Sequence, residues 1–198
     1  MAYNTFTINQ VRRDFGIQLV EDALFIPEFQ PVEPSEMLRS ILDKFAPLAE
    51  AIGTEKAKSE FVIAPILAEV REIMEHQVSL FSGIEFNVEP KNGLNGRCDF
   101  IISASNIQYT LTAPVLALVE AKQGNINPGL GQCMAEMVAA QIHNQKEGND
   151  IEFIYGCVTN SDIWRFLRLQ GKTMMIEKRR FALDPIERLL GVLVQLVS

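Results

Sequence analysis

PVLALVEAK, residues 114–122, is the stretch on which the fold turns. Its near-continuous apolar run implies burial on both faces, which is the signature of a central strand in a sheet covered by helices. Upstream, Ile84, Phe86 and Val88 alternate strictly, the loop PKNGLNG follows, and RCDFIIS returns, which together predict an antiparallel pair feeding that strand. Downstream, the glycine-rich turn QGNINPGLG (123–131) leads into a helix from about Leu130 to Glu147, stopped by Gly148 and Asn149. IEFIYGCVT and DIWRFLRLQ then read as two strands about an Asn160-Ser161 turn, with a last strand near Lys172 to Arg179. Asp184-Pro185 predicts the start of a closing helix, Asp184 as cap and Pro185 at the first helical position.

Further upstream, Thr54 caps a long amphipathic helix over EKAKSEFVIAPILAEVREIMEHQ, with Ile63, Leu67, Val70 and Met74 on one stripe and a bend at Pro65. Ser35 caps a preceding helix that runs to about Phe45, with Glu36 in its first turn. PEFQPVEP (27–34) joins these to an N-terminal extension, a short helix near Ile8 to Phe15 and an extended segment from Ile17 to Val20. The sum is an α/β sheet with helices packed on it. We expect a single domain over 1–198, with a core of about 54–170 and an extension over 1–50.

Composition bounds the possibilities. At 198 residues, 47% of them hydrophobic and 22% charged, the chain suits one globular domain and is too short for two ordinary catalytic domains. A formal charge of -7 argues against a blanket basic coat, so contact with nucleic acid requires a local patch. Lys172, Lys178, Arg179 and Arg180, with Trp164, Arg165 and Arg168 nearby, are the candidates, against the plainer reading of a solvated strand face and a core tryptophan. Cys98, Cys133 and Cys157 form no CxxC pair and predict reduced thiols rather than a zinc or disulfide framework. The opening MAYNTFTINQ does not resemble a secretory signal, and the apolar tail from Leu189 to Ser198 is far shorter than the ~20 residues of a membrane span, so the expected location is cytoplasmic, off the membrane. Leu189, Leu190, Leu193 and Val197 of the last helix either cover the core or form a homodimer seam.

Chemistry concentrates at the end of the central strand. Glu120 and Lys122 share one face while Ala121 points to the other, so two opposite charges emerge together from a buried strand. The similar triplet Glu89-Pro90-Lys91 sits in a turn and reads as surface charge. Asp99 interrupts an apolar strand one hairpin upstream; if the strands pair, its carboxylate joins that of Glu120 at one end of the sheet and offers hard oxygens to a divalent cation. Glu60, three positions before Ile63, shares the apolar stripe of the long helix and should face the sheet, while Glu69, Glu72 and Glu75 fall on its wetter side. Gly129-Leu130-Gly131 lacks the third glycine of a dinucleotide loop, the turn after Gly124 lacks the Lys-Ser/Thr of a phosphate loop, and two histidines, His76 and His143, are too few for a histidine metal site or an evident hydrolase base.

These residues resemble the PD-(D/E)XK superfamily, the restriction-endonuclease-like phosphodiesterases. Cys98-Asp99 is similar to the first motif, with Cys98 where the family name has proline; Glu120-Ala121-Lys122 is similar to the second; and Glu60 resembles the acid that many members carry on the first core helix. The resemblance implies an αβββαβ core with a mixed sheet and a metal-dependent nuclease that hydrolyses nucleic-acid phosphodiester bonds. It further implies Mg²⁺ (or Mn²⁺) held by Asp99, Glu120 and the backbone carbonyl of Ala121, with Glu60 at a second ion or its waters and Lys122 orienting the attacking water. Gln132 resembles a glutamine of several branches, with Gln123 and Gln141 competing for that part. The alternative is a catalytically inactive nucleic-acid-binding or assembly module with the same fold.

Overall fold

The computed structural model describes residues 2–149 and 151–198 and shows an α/β architecture, a mixed eight-stranded sheet flanked by helices. In chain order the elements are α1 (Ile8–Phe15), β1 (Gln18–Ala23), α2 (Glu36–Ile52), α3 (Glu55–Lys58), a π-helical turn (Ser59–Ile63) and α4 (Ala64–Ile73). Then follow β2 (Ser79–Glu85), β3 (Arg97–Ser103), β4 (Val115–Ala121), α5 (Asn127–Lys146), β5 (Ile154–Thr159), β6 (Ile163–Gln170), β7 (Thr173–Glu177), β8 (Phe181–Ala182) and α6 (Ile186–Val197). The strands are ordered β1-β7-β6-β5-β4-β3-β2, with the short β8 pairing β6. As its apolar run requires, β4 is central, antiparallel to β3 and parallel to β5, and the parallel step is made by the crossover helix α5.

Both sheet faces are covered. On one, Leu118, Val158 and Ile101 pack against Cys133, Met134 and Met137 of α5 and against Tyr3, Phe6 and Val11 from the N-terminus. On the other, Val119, Phe100 and Phe166 pack against Ile63, Ile66, Leu67 and Val70 and against Leu189, Leu190 and Leu193 of α6. Of the two roles open to Leu189, Leu190, Leu193 and Val197, the structure shows the first: they cover the core of their own chain. No helix among the described residues is long and apolar enough to cross a membrane.

Local chemistry sets the helix boundaries. Ser35 and Thr54 cap their helices as expected, accepting from the N–H groups of Leu38 (3.1 Å) and Ala57 (3.2 Å). The helix after Ser35 runs on past Phe45 to Ile52 and stops at Gly53, whose φ of 69° suits glycine. Asp184 does not cap α6: Pro185 occupies the N-cap and no side chain serves there. α5 begins at Asn127, earlier than expected, with Pro128 in its first turn where a missing N–H is harmless.

Two further departures matter. Pro65 does not simply bend the long helix; a π-helical turn lies immediately before it. One extra residue per turn shifts the phase of the helix by about 100°. The stripe through Ile63, Leu67 and Val70 therefore does not continue back to Glu60, which is exposed. The N-terminal segment is integrated into the sheet: β1 pairs with β7 in parallel as an edge strand, and α1 docks on α5 at Gly131, where a Cβ would lie 2.3 Å from the carbonyl oxygen of Phe6. At the opposite edge, β2 is bordered by a side chain, for Leu80 N–H donates to Gln108 Oε1 (3.2 Å) and Gln108 Nε2 donates to Leu80 O (2.7 Å).

Candidate active site

The site lies where β3 enters the sheet and β4 leaves it. Phe100 pairs with Val119, so the next residues outward, Asp99 and Glu120, meet at the ends of neighbouring strands. Asp99 Oδ2 accepts the N–H of Ala121 (2.8 Å), which fastens the two strand ends together. Lys122 continues the line of β4, its N–H donating to Thr159 O (2.7 Å), and its Nζ donates to Glu120 Oε1. The lysine stem passes under Gly129 at the start of α5; a Cβ there would come within 2.9 Å of Lys122 Cε and 2.8 Å of Val158 Cγ1. Glycine thus gives the lysine its room.

Asp99 and Ala121 form one wall of a cleft of about 250 Å³, completed by Glu55, Lys56, Ser59 and Glu60 from α3 and the π-helical turn and by Ser82 and Gly83 of β2. Glu60 therefore reaches the site, but from the rim: its side chain is 52% exposed and its Oε1 is held by Lys56 Nζ (2.5 Å). The π-helical turn accounts for this placement. Glu55, which the sequence reading did not single out, also lines the cleft, and its charge acts on Lys122.

Behind Glu120 lies a second acid missed from the sequence. Glu136 projects from α5 and is 0% exposed; Gln132, one helical turn earlier, donates from Nε2 to its Oε1 (3.1 Å). Its carboxyl comes within hydrogen-bonding reach of Glu120, itself 1% exposed, and Oε2 of each is buried without a partner. The available signal was a lone charge inside CMAEMVAA, residues 133–140, where every neighbour is apolar. Of the three glutamines weighed, Gln132 is at the site, Gln123 is exposed, and Gln141 faces a separate cavity beside Asn144 and Ile154.

Burial dominates the electrostatics. It drives the Glu120 carboxyl far above its usual range, and the charges of Glu136 and Asp99 add to this more than Lys122 offsets. Burial also raises Glu136, against the opposing hydrogen bond from Gln132. Desolvation opposes the charge on Lys122, yet Glu120, Glu55 and Asp99 together hold its ammonium above the ordinary lysine value. The site thus pairs one firmly held cation with an excess of carboxyl groups.

Asp99, Glu120 and Glu136 present the hard oxygens that a divalent cation takes, and two buried orphan oxygens are the feature such an ion would satisfy, so the donor set fits one. As they stand, no three acidic, histidine or cysteine side chains among the described residues are arranged to hold an ion, and Lys122 occupies Glu120 Oε1.

Three of the six cations in the expected phosphate-tracking cluster are committed elsewhere. Arg168 stacks over the rings of Phe25 (5.1 Å) and Phe153 (4.6 Å), Arg179 pairs with buried Glu177 (2.8 Å), and Lys172 donates to Phe15 O (3.0 Å). Trp164 is fully buried with its Nε1 on Ser161 O (2.9 Å), so it is a core residue. Lys178 and Arg180 remain exposed. Comparison of the chain with protein-family models, with curated proteins and with solved structures finds no match.

Proposed function

We propose that this chain is a metal-dependent nuclease of the PD-(D/E)XK kind, hydrolysing nucleic-acid phosphodiester bonds at the cleft beside Asp99. The observation that carries the reading is the meeting of Asp99, Glu120 and Lys122 at one sheet end, with Lys122 on Glu120 and a carboxyl oxygen of Glu120 buried without a partner. The order of elements supports it: a helix, three antiparallel strands, a crossover helix and a parallel strand, as the resemblance implies.

A phosphodiester is anionic and repels hydroxide, so its hydrolysis needs positive charge at the phosphoryl oxygens and a nucleophile at neutral pH. Mg²⁺ or Mn²⁺, when bound, supplies both. Asp99, Glu120 and the carbonyl of Ala121 are the ligands in this reading, with Glu60 placed at the rim to reach a second ion or its waters. Lys122 orients the attacking water and offsets charge that develops on the phosphoryl group. To do so the Lys122 ammonium would have to turn from Glu120 Oε1, which it now occupies, toward the phosphoryl group.

The second reading is a non-cleaving nucleic-acid-binding or assembly module. Its assembly form is favoured by the internal contacts of Arg168, Arg179 and Lys172, which draw those three cations away from any phosphate backbone. Incubating the purified protein with labelled single- and double-stranded DNA and with RNA, in Mg²⁺, Mn²⁺ or chelator, separates the two. Metal-dependent cleavage that is lost in Asp99→Asn and Glu120→Gln is the expected result. Binding of nucleic acid with no cleavage and no bound metal overturns the nuclease reading in favour of the module.

A further inference from the structure

We infer that the apolar groove between α2 and α4 is a docking site for a short amphipathic helix with basic flanks, presented by a partner protein. The inference does not rest on the chemistry at Asp99 and holds whether or not the chain cleaves nucleic acid.

The groove has a volume of about 810 Å³, against about 250 Å³ for the cleft beside Asp99. Met37, Leu38 and Ile41 of α2 form one wall and Pro65, Ala68 and Ile73 of α4 the other. Proline and alanine on the α4 side leave open a gap that larger side chains would close. Met37 is 73% exposed, and Leu48 (43%) and Ile52 (48%) prolong the same helical stripe along α2, so this apolar surface stands in water. The walls are fixed in advance: the N–H and Oγ of Ser35 donate to Glu69 (2.6 and 2.9 Å), which ties the start of α2 to α4. Charge then selects the occupant. Glu69 and Glu72 line the groove, Glu36 is exposed beside Met37, and no lysine or arginine lines it. Glu36 and Glu69 enter no ion pair among the described residues, and Glu72 meets His76 (2.7 Å) and Arg71 (3.5 Å). An acidic border on an apolar floor repels acidic peptides and anionic lipid, and attracts lysine or arginine set beside an apolar stripe. The α4 wall from Pro65 to Ile73 extends over about 12 Å, the length of about two turns of a docked helix, which suits apolar anchors at i, i+4 and i+7. A second copy docked groove to groove would set these acids against one another. α1, whose last turn carries Arg12 and Arg13, is already packed on α5.

The test is fluorescence anisotropy of the full chain with labelled peptides of about 18 residues, long enough to hold a helix. They share one leucine face and carry lysine, glutamine or glutamate on the other. The lysine peptide should bind saturably, about tenfold tighter than the glutamine peptide and less tightly as salt rises, with the glutamate peptide weakest. Ala68→Trp, at an exposed position, fills the groove and should weaken the lysine peptide about tenfold. Met37→Gln should weaken it several-fold, and it carries the test if circular dichroism shows that Ala68→Trp does not fold. Glu36→Gln combined with Glu72→Gln should narrow the gap between the lysine and glutamine peptides. Thr110→Trp, exposed on the loop between β3 and β4, should leave binding as it is. Equal affinity for the three peptides overturns the assignment, as does a lysine-peptide affinity that the folded groove variants leave unchanged or that Thr110→Trp weakens as much. Sedimentation that shows a wild-type dimer dissolved by Ala68→Trp would make the occupant a second copy and overturns it too.

Discussion

Replacing Glu136 by glutamine should change how stability depends on pH in the metal-free protein. In the unfolded chain both glutamates titrate near 4.5, whereas in the folded protein burial holds both well above that, helped by the charge of Glu136 at Glu120 and of Asp99 at both. A raised carboxyl pKa contributes stability that is complete below the unfolded value and is lost as pH rises toward the folded one. Each proton kept by the native state and released by the unfolded state costs about 1.4 kcal/mol per pH unit. Over two pH units above 5.5 this is roughly 3 kcal/mol per proton, a large share of the 5–15 kcal/mol typical of a domain. Glutamine at this position has no proton to lose. Its amide can still accept from Gln132 and can donate to the orphan Oε2 of Glu120, a bond worth about 0.5–1.5 kcal/mol. The variant should therefore lose stability less steeply as pH rises and should be the more stable protein at pH 8. Urea denaturation in chelator, followed by circular dichroism from pH 5.5 to 8.5, measures both curves. Parallel curves for wild type and variant would refute the reasoning, because Glu136 would then hold no extra proton in the folded protein.

Three other substitutions probe the site and its frame. Lys122→Ala should lower turnover by about 10²–10³-fold, while Mn²⁺ affinity stays the same or rises because a competing cation leaves Glu120; undiminished turnover rejects the role given to the lysine. Gly129→Ala places a methyl group against Lys122 Cε and Val158 Cγ1, so turnover should fall by up to about a hundredfold through misplacement of the ammonium, with the far-ultraviolet spectrum unchanged; full activity would show that the lysine does not need that space. Glu177 is fully buried and accepts from Arg179 and from the N–H groups of Phe25 and Ile26, and although burial opposes its charge, these bonds hold its carboxyl below the usual range. Stability from Glu177 is thus present above pH 4.5 and is lost as pH falls through its depressed value. Glu177→Leu, by leaving the buried N–H groups of Phe25 and Ile26 without their acceptor, should cost about 1–3 kcal/mol in urea denaturation at pH 7, and no loss of stability would contradict the structure.

Much of the architecture was legible because it rests on local signals. The apolar run of 114–122 specifies a doubly buried strand, and Ser35 and Thr54 announce their helices through caps that form as written. The convergence of Asp99 with Glu120 and Lys122 was legible too, since a hairpin joining two adjacent strands leaves little freedom in where their ends meet. What stayed hidden depends on contacts between distant segments. No pattern in Gln18–Ala23 states that it will pair with Thr173–Glu177, because an edge strand with exposed residues carries a weak apolar signature. Glu60 was misplaced because periodicity assumes an unbroken α-helix, and the π-helical turn before Pro65 breaks the phase. Glu136 was passed over because a glutamate in a helix is ordinarily solvated, and only the packing of α5 on β4 reveals that this one has no water to reach.

The amide of Gln108 has a consequence for life in a crowded solution. A bare sheet margin is a template on which another polypeptide can zip itself. At Leu80 both template contacts are already filled by a group from the molecule's own loop, which offers an acceptor and a donor as a neighbouring peptide unit would. An intruding chain would have to evict that tethered mimic before it could begin to pair there, so one uncharged side chain denies a foreign strand its first foothold at Leu80.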